Sequence, residues 1–197
     1  MNKKDRSQLL DLARRSIKYY LEHDQYYNSI TTENRSFLEE RAVFVTLHKD
    51  ENLRGCIGQM HAQMPLYKAV IKMAVAAAFE DPRFPSVREE ELEKIEIEIS
   101  VLSPMKRISN YKKIRMGTDG VWIKKGFRSG VYLPQVAVDT GWDRETFLRS
   151  LCSSKAGLPA DAYKDANTEI YIFQVEEFSE RHSTTNKIKI NAYSNCP

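Results

Sequence analysis

Cysteine is scarce in this chain. Cys56, Cys152 and Cys196 are an odd set that cannot all pair within one molecule, so no disulfide framework is predicted. None stands in a C-x-x-C pair, which removes the usual zinc knuckle. His23, His48, His61 and His182 show no H-E-x-x-H or other tight ligand spacing, so neither a protein-bound metal nor a cofactor is predicted. No apolar run reaches the ~20 residues of a membrane helix. The opening stretch, "MNKKDRSQLL", lacks the apolar segment and small-residue cleavage site of a signal peptide. Together these absences predict a protein of the reducing cytoplasm that does not meet a membrane. Repeats, low-complexity tracts and long Pro/Gly/Ser linkers are also missing, so no internal boundary stands out.

What is present suffices for a sizeable core. The chain has 197 residues, 42% of them apolar, and a net charge of only +3. The charge is uneven. Lys106 to Arg128 holds eight basic residues against Asp119, a local +7 that leaves −4 for the remainder. Such a field can attract nucleic acid or another anion, through Lys112, Lys113, Arg115, Lys124, Lys125 and Arg128 with Tyr111, Trp122 and Phe127 as aromatic partners. It also reads simply as a solvated face.

Residues 5–24 carry Leu9, Leu10, Ala13, Ile17, Tyr20 and Leu21 at helical spacing, with Asp5 or Ser7 to cap the start. Residues 26–41 read as a loop with one helical turn. "AVFVTLHK" (Ala42–Lys49) and "LRGCIGQM" (Leu53–Met60), joined by a polar turn, read as a hairpin. Pro65–Phe79 is an alanine-rich helix stopped by "EDPRFP". "KIEIEISVLS" alternates with period two and sends Ile95, Ile97, Ile99 and Val101 to a buried face, Glu96 and Glu98 to the other. "GVWIKKG" and "GVYLPQVAV" suggest a second hairpin broken at Pro134. Asp143–Lys155 reads as a helix capped by Asp143, and Glu169–Phe178 as a final strand. Trp122 and Trp142 read as packing residues. Mixed strands and helices without a βαβ rhythm predict an α+β fold.

LRGCIGQM raises a chemical question. Alternation puts Arg54, Cys56 and Gly58 on one face and Leu53, Gly55 and Ile57 on the other. A guanidinium beside the thiol favours thiolate, and Gly55 and Gly58 leave room for a ligand or close backbone approach. Cys56 is therefore a candidate nucleophile or ligand. Equally, it reads as a small buried hydrophobe. The hairpin predicts Thr46 opposite Cys56 and His48 opposite Arg54, so His48 is a diagonal candidate base. Arg83 and Gln135, in segments stiffened by proline, are candidates for holding a carboxylate or phosphate, together with Arg54 and Pro134. Asp81 and Arg83 read as well as a local pair at a helix end, and Pro134–Gln135 as a strand break.

LRGCIG resembles the signature of the AMMECR family, whose prokaryotic members are called AmmeMemoRadiSam system protein A. "EDPRFP", "IEISVLSP", "GTDGVWI", "YLPQVAVDTGWD" and "KAGLP" continue the likeness in order, over roughly residues 10 to 180. Gln59 departs from the family's usual threonine, and Tyr163 stands where an aromatic, often tryptophan, is usual. The resemblance implies one two-lobed domain over residues 1–181, with a larger mixed sheet flanked by helices, a smaller β-containing lobe and a cleft between them. Residues 182–197 would then be a polar tail. It also implies Memo-like and radical S-adenosylmethionine proteins as partners, without a settled activity. Three functions stay open: an enzyme or enzyme component using Cys56 on a small anionic substrate, a nucleic-acid-binding module, and a non-catalytic adaptor.

Overall fold

The computed structural model describes residues 1–28 and 32–180. The expected tail, with His182 and Cys196, lies outside the described residues. The α+β class is what the structure shows: helices and two four-stranded sheets, divided into two compact units.

Among the described residues, the first unit comprises Met1–Leu102 and residues 176–180. Its sheet runs in the order β2 (Asn52–Gln59), β1 (Val43–Lys49), β3 (Ile95–Leu102), β8 (Val175–Ser179). Strand β1 is antiparallel to both β2 and β3. Helices α1 (Lys3–His23) and α3 (Leu66–Phe79) supply Leu9, Ile17, Val70 and Ala74 to a core with Val45, Leu47, Ile97 and Ile99. The cap of α1 is Asn2, not Asp5 or Ser7: its side chain accepts the Asp5 N–H at 2.8 Å. The expected helical turn is α2 (Arg35–Leu38), capped by Asn34.

Alanine in α3 has a packing consequence. Small side chains let the helix lie close to β2, and a Cβ on Gly55 would stand 2.1 Å from the Ala77 carbonyl oxygen. On the opposite face a Cβ on Gly58 would meet the Phe44 ring, also at 2.1 Å. The bare patch expected over Gly55 and Gly58 is therefore filled by this protein's own helix and ring.

The β1–β2 hairpin turns at Asp50 and Glu51, both with positive φ (51° and 64°), as a two-residue turn between twisted strands requires. Thr46 lies opposite Cys56, as the spacing predicts. His48 lies opposite Leu53, not Arg54, because a bulge interrupts the ladder between Leu47 and His48.

The second unit, Ser103–Val175 among the described residues, has the sheet order β4 (Lys106–Ile108), β7 (Glu169–Phe173), β5 (Gly120–Lys125), β6 (Arg128–Tyr132), all antiparallel. Helices α4 (Pro134–Thr140) and α5 (Arg144–Ser150) pack on one face around Val121, Ile123, Phe147, Leu148 and Ile170. Asp143 caps α5 by accepting the Thr146 N–H at 2.8 Å, and the helix runs on as a wider turn through Lys155. Two expectations change here. The strand over "GVYLPQVAV" stops at Tyr132, because Pro134 takes the first position of α4, where its missing N–H costs nothing. The single strand over Glu169–Phe178 is two strands in different sheets, broken at Gln174. There the Gln174 N–H donates to Ser103 Oγ at 2.9 Å and its carbonyl accepts the Ser103 N–H at 2.8 Å.

Candidate functional site

Cys56 lies on β2, at the edge of the first sheet. Its N–H and C=O point away from β1, and an edge strand must satisfy such groups elsewhere. Asp81 Oδ2 accepts the Cys56 N–H at 2.9 Å, and Arg83 donates to the Cys56 carbonyl at 3.1 Å. Arg83 also forks onto Asp81, with contacts of 2.9 and 2.6 Å. Burial of Asp81 pushes its pKa up. Hydrogen bonds from Arg83 and from the Cys56 N–H outweigh this and hold the carboxyl below its ordinary range. The local Asp81–Arg83 pair thus exists and also closes the strand edge.

The sulfur is sealed. Cys56 is 0% exposed, its sulfur is engaged rather than present as a free thiol, and Thr46 donates a hydroxyl to it at 3.4 Å. The expected guanidinium neighbour is absent from this contact. Arg54 reaches Glu91 through two bonds of 3.1 and 3.0 Å, and Lys49 joins the same carboxylate at 2.8 Å. Hydrogen bonds from Arg54, then Lys49, hold Glu91 at about 2 against the opposing effect of burial.

His48 Nε2 is buried without a hydrogen-bond partner and lies 3.9 Å from Glu98 Oε1. It shares its sheet face with Thr46, which the ladders place opposite Cys56 on one side and Glu98 on the other. Thr46, Glu98 and Ser100 are each 1% exposed. Sequence reasoning assigned Glu98 to the outer face and passed over Ser100. The β1 register sets Glu98 opposite Thr46, in line with Cys56, and Ser100 opposite Phe44, in line with Gly58.

Pro134 and Gln135 belong to the second unit, whereas Arg54, Gly55, Cys56, Gly58 and Arg83 belong to the first. Gln135 donates to Asp139 of its own helix at 2.7 Å.

The basic segment forms a concavity in the second unit. A depression of about 510 Å³ is lined by Lys106, Arg107, Lys113 and Arg115, with Asp119 the acid among its walls. Asp119 is 2% exposed and accepts three bonds from Arg115: the backbone N–H at 2.9 Å and the guanidinium at 3.1 and 2.7 Å. Burial pushes its pKa up, but these bonds hold it below the ordinary carboxylate range. Lys106 and Lys113 make no ion pair among the described residues, and Arg107 stands 4.0 Å from Glu169. The other predicted cations divide. Lys112 and Lys124 are exposed, Lys125 is bound to Asp165 at 2.5 Å, and Arg128 donates to the Gly157 carbonyl at 2.6 Å. Of the aromatics, Tyr111 packs edge-on against buried Tyr163, Trp122 tilts against Tyr171, and Phe127 stands fully exposed at a turn. Lys106 and Arg107 were visible in the charge count but not as site residues, because the strand that presents them is only three residues long.

Among the described residues no cluster of three or more His, Cys, Asp or Glu side chains could hold a metal, and no helix is long and apolar enough to cross a membrane.

A family model described as AMMECR1 matches residues 10–178. The chain is 42% identical to protein TK0174 of Thermococcus kodakarensis, over 88% of this chain and 89% of that one. It is 44% identical to protein MK0488 of Methanopyrus kandleri, over 87% and 86%. The crystal structure of the uncharacterized protein PH0010 from Pyrococcus horikoshii superposes with a TM-score of 0.83 at 39% identity, covering 92% of this chain and 94% of that one.

Proposed function

The chain belongs to the AMMECR1 family, and we propose that it acts as a binding module for a phosphate-bearing ligand, docked in the basic depression of its second unit. One observation carries this reading. Four cations converge on a concave surface whose single acid, Asp119, is already committed to Arg115. Lys106, Arg107 and Lys113 then face an incoming anion, and a concave wall concentrates their field. A guanidinium fork and two ammonium groups suit the oxygens of a phosphate. The exposed Lys112, next in sequence to Lys113 of the lining, adds positive charge and favours a nucleic-acid strand over an isolated phosphate.

The thiol reading has less support. A sulfur at 0% exposure, already engaged, would need a change of structure before it met a substrate. The geometry around Cys56 accounts for Asp81, Arg83, Gly55 and Gly58 through edge pairing and packing.

The test is binding of a short single-stranded oligonucleotide by fluorescence anisotropy, with inorganic phosphate as competitor. Wild type should bind saturably and weaken steeply between about 50 and 200 mM salt. The double variant K106E/K113E should bind at least about tenfold more weakly, and its salt slope should fall by roughly 1.4 if two contacts are lost. Absent binding at low salt, or equal binding by the variant, overturns the proposal.

A further inference from the structure

In an antiparallel sheet covered on one face, the outward positions are ordinarily polar. The second sheet departs from that rule. Val121, Ile123 and Ile170 point into the core, so alternation sends Trp122 and Tyr171 to the opposite face. The ladders set Arg107 opposite Tyr171, Tyr171 opposite Trp122, and Trp122 opposite Val131, so one row crosses all four strands. Tyr171, Trp122 and Val131 are half-buried, and Arg107 is exposed. The adjoining row holds Glu169, Lys124 and Ser129.

The rings are held in place. Trp122 lies against Tyr171 with centroids 5.2 Å apart, and the Tyr171 hydroxyl donates to Glu169 at 2.5 Å. Fixed rings lose little freedom when a ligand stacks on them. Strand β5 leads from this face to its hairpin with β6, where Gly126 turns at φ 60° and Phe127 projects fully into solvent. Lys125 on Asp165 and Arg128 on the Gly157 carbonyl anchor the hairpin on both sides. A ring so exposed contributes nothing to the core.

Charge selects the ligand. Arg107 lines the basic depression and also heads the aromatic row, so depression and face adjoin. Glu169, the acid of these two rows, stands 4.0 Å from Arg107 and opposite Lys124, two cations against one carboxylate. Rings flanked by cations fit a ligand that is anionic along its length and carries flat faces, which describes single-stranded nucleic acid. Four-stranded sheets that bind single-stranded RNA stack about two or three bases on such rings. A duplex keeps those faces hidden.

We propose that the outer face of the second sheet, at Tyr171 and on to Phe127, stacks the bases of a single strand whose phosphates enter the depression. The proposal rests on the phosphate-binding reading of the depression and adds a preference for unpaired bases.

The experiment compares two fluorescent strands of about eight nucleotides by anisotropy with the full chain. One carries all its bases, and the other is abasic with every phosphate kept. Wild type should hold the base-bearing strand at least about tenfold more tightly. F127A and Y171A, each checked for a native circular dichroism spectrum, should each lose about fivefold on the base-bearing strand and nothing on the abasic one. Y171F should keep wild-type affinity, because the ring and not the hydroxyl does the stacking. If Y171A does not fold, F127A decides the matter. K106E/K113E should weaken both strands alike and so reports on the depression separately. Equal wild-type affinity for the two strands, or wild-type affinity in either folded alanine variant, overturns the stacking face and leaves the phosphate site standing. Absent binding of both strands overturns the two together.

Discussion

Asp81 accepts the backbone N–H of Cys56 across the open edge of the first sheet, at 2.9 Å. The relationship links the signature strand to the segment that ends α3, and Arg83 completes it on the Cys56 carbonyl. Replacing Asp81 with alanine leaves a buried N–H and a partly buried guanidinium without their shared acceptor. D81A should lower stability by about 3 kcal/mol, and Tm by about 6–12 °C for a chain of this size. Thermal unfolding by circular dichroism checks it, and a Tm within a degree or two of wild type would dismiss the edge-closing role.

The Glu91 network should show itself in acid. Its folded pKa, about 2, lies below the 4.5 of an ordinary glutamate. A depressed carboxylate contributes stability that is complete above the unfolded value and is lost as pH falls through the folded one. Wild type should therefore exceed E91Q in urea midpoint at neutral pH, and the gap should close between about pH 4.5 and pH 2. A gap independent of pH would assign the effect to packing.

Glycine substitutions distinguish close approach from turn geometry. G55A drives a methyl into the Ala77 carbonyl at 2.1 Å, so α3 and β2 must separate. The expected cost is about 2–3 kcal/mol. At Gly126 nothing lies within 4 Å, but φ is 60°, and G126A should cost only about 1 kcal/mol. Equal effects in chemical denaturation would contradict the packing account of Gly55.

Much of the first unit is legible in the sequence because its elements obey one period each. Leu9 to Leu21 and the IEIEIS alternation find their faces without help from the rest of the chain, and the Thr46–Cys56 pairing follows from turn length. The bulge at Leu47/His48 does not, since one extra residue in the ladder leaves no mark on composition. The strand break at Gln174 is similarly hidden: "EIYIFQVEEF" keeps strand propensity throughout, and only pairing with Ser103 ends the first strand. The burial of Glu98 was illegible for a further reason. Its own strand dictates which way it points, but not whether water lies there.

Asp119 offers the sharpest test of the basic depression, because it neutralises that surface from within. Its carboxylate is 2% exposed and takes both the backbone N–H and the guanidinium of Arg115. D119N keeps an oxygen to accept one of these bonds, so the turn survives, while the local charge rises by one. If the depression binds phosphate, D119N should hold the single-stranded oligonucleotide a few-fold more tightly at neutral pH, since the removed negative charge acts on a ligand that solvent and salt screen at an open surface. Because bonds from Arg115 hold the folded pKa of Asp119 below the ordinary 3.8, the wild-type acid stays charged at neutral pH. Lowering the pH should therefore bring wild type up to the affinity of D119N only below that value. Tighter binding that appears already near pH 6 would point to a histidine instead, and weaker binding by D119N would mean that the acid orders the site rather than opposing its ligand.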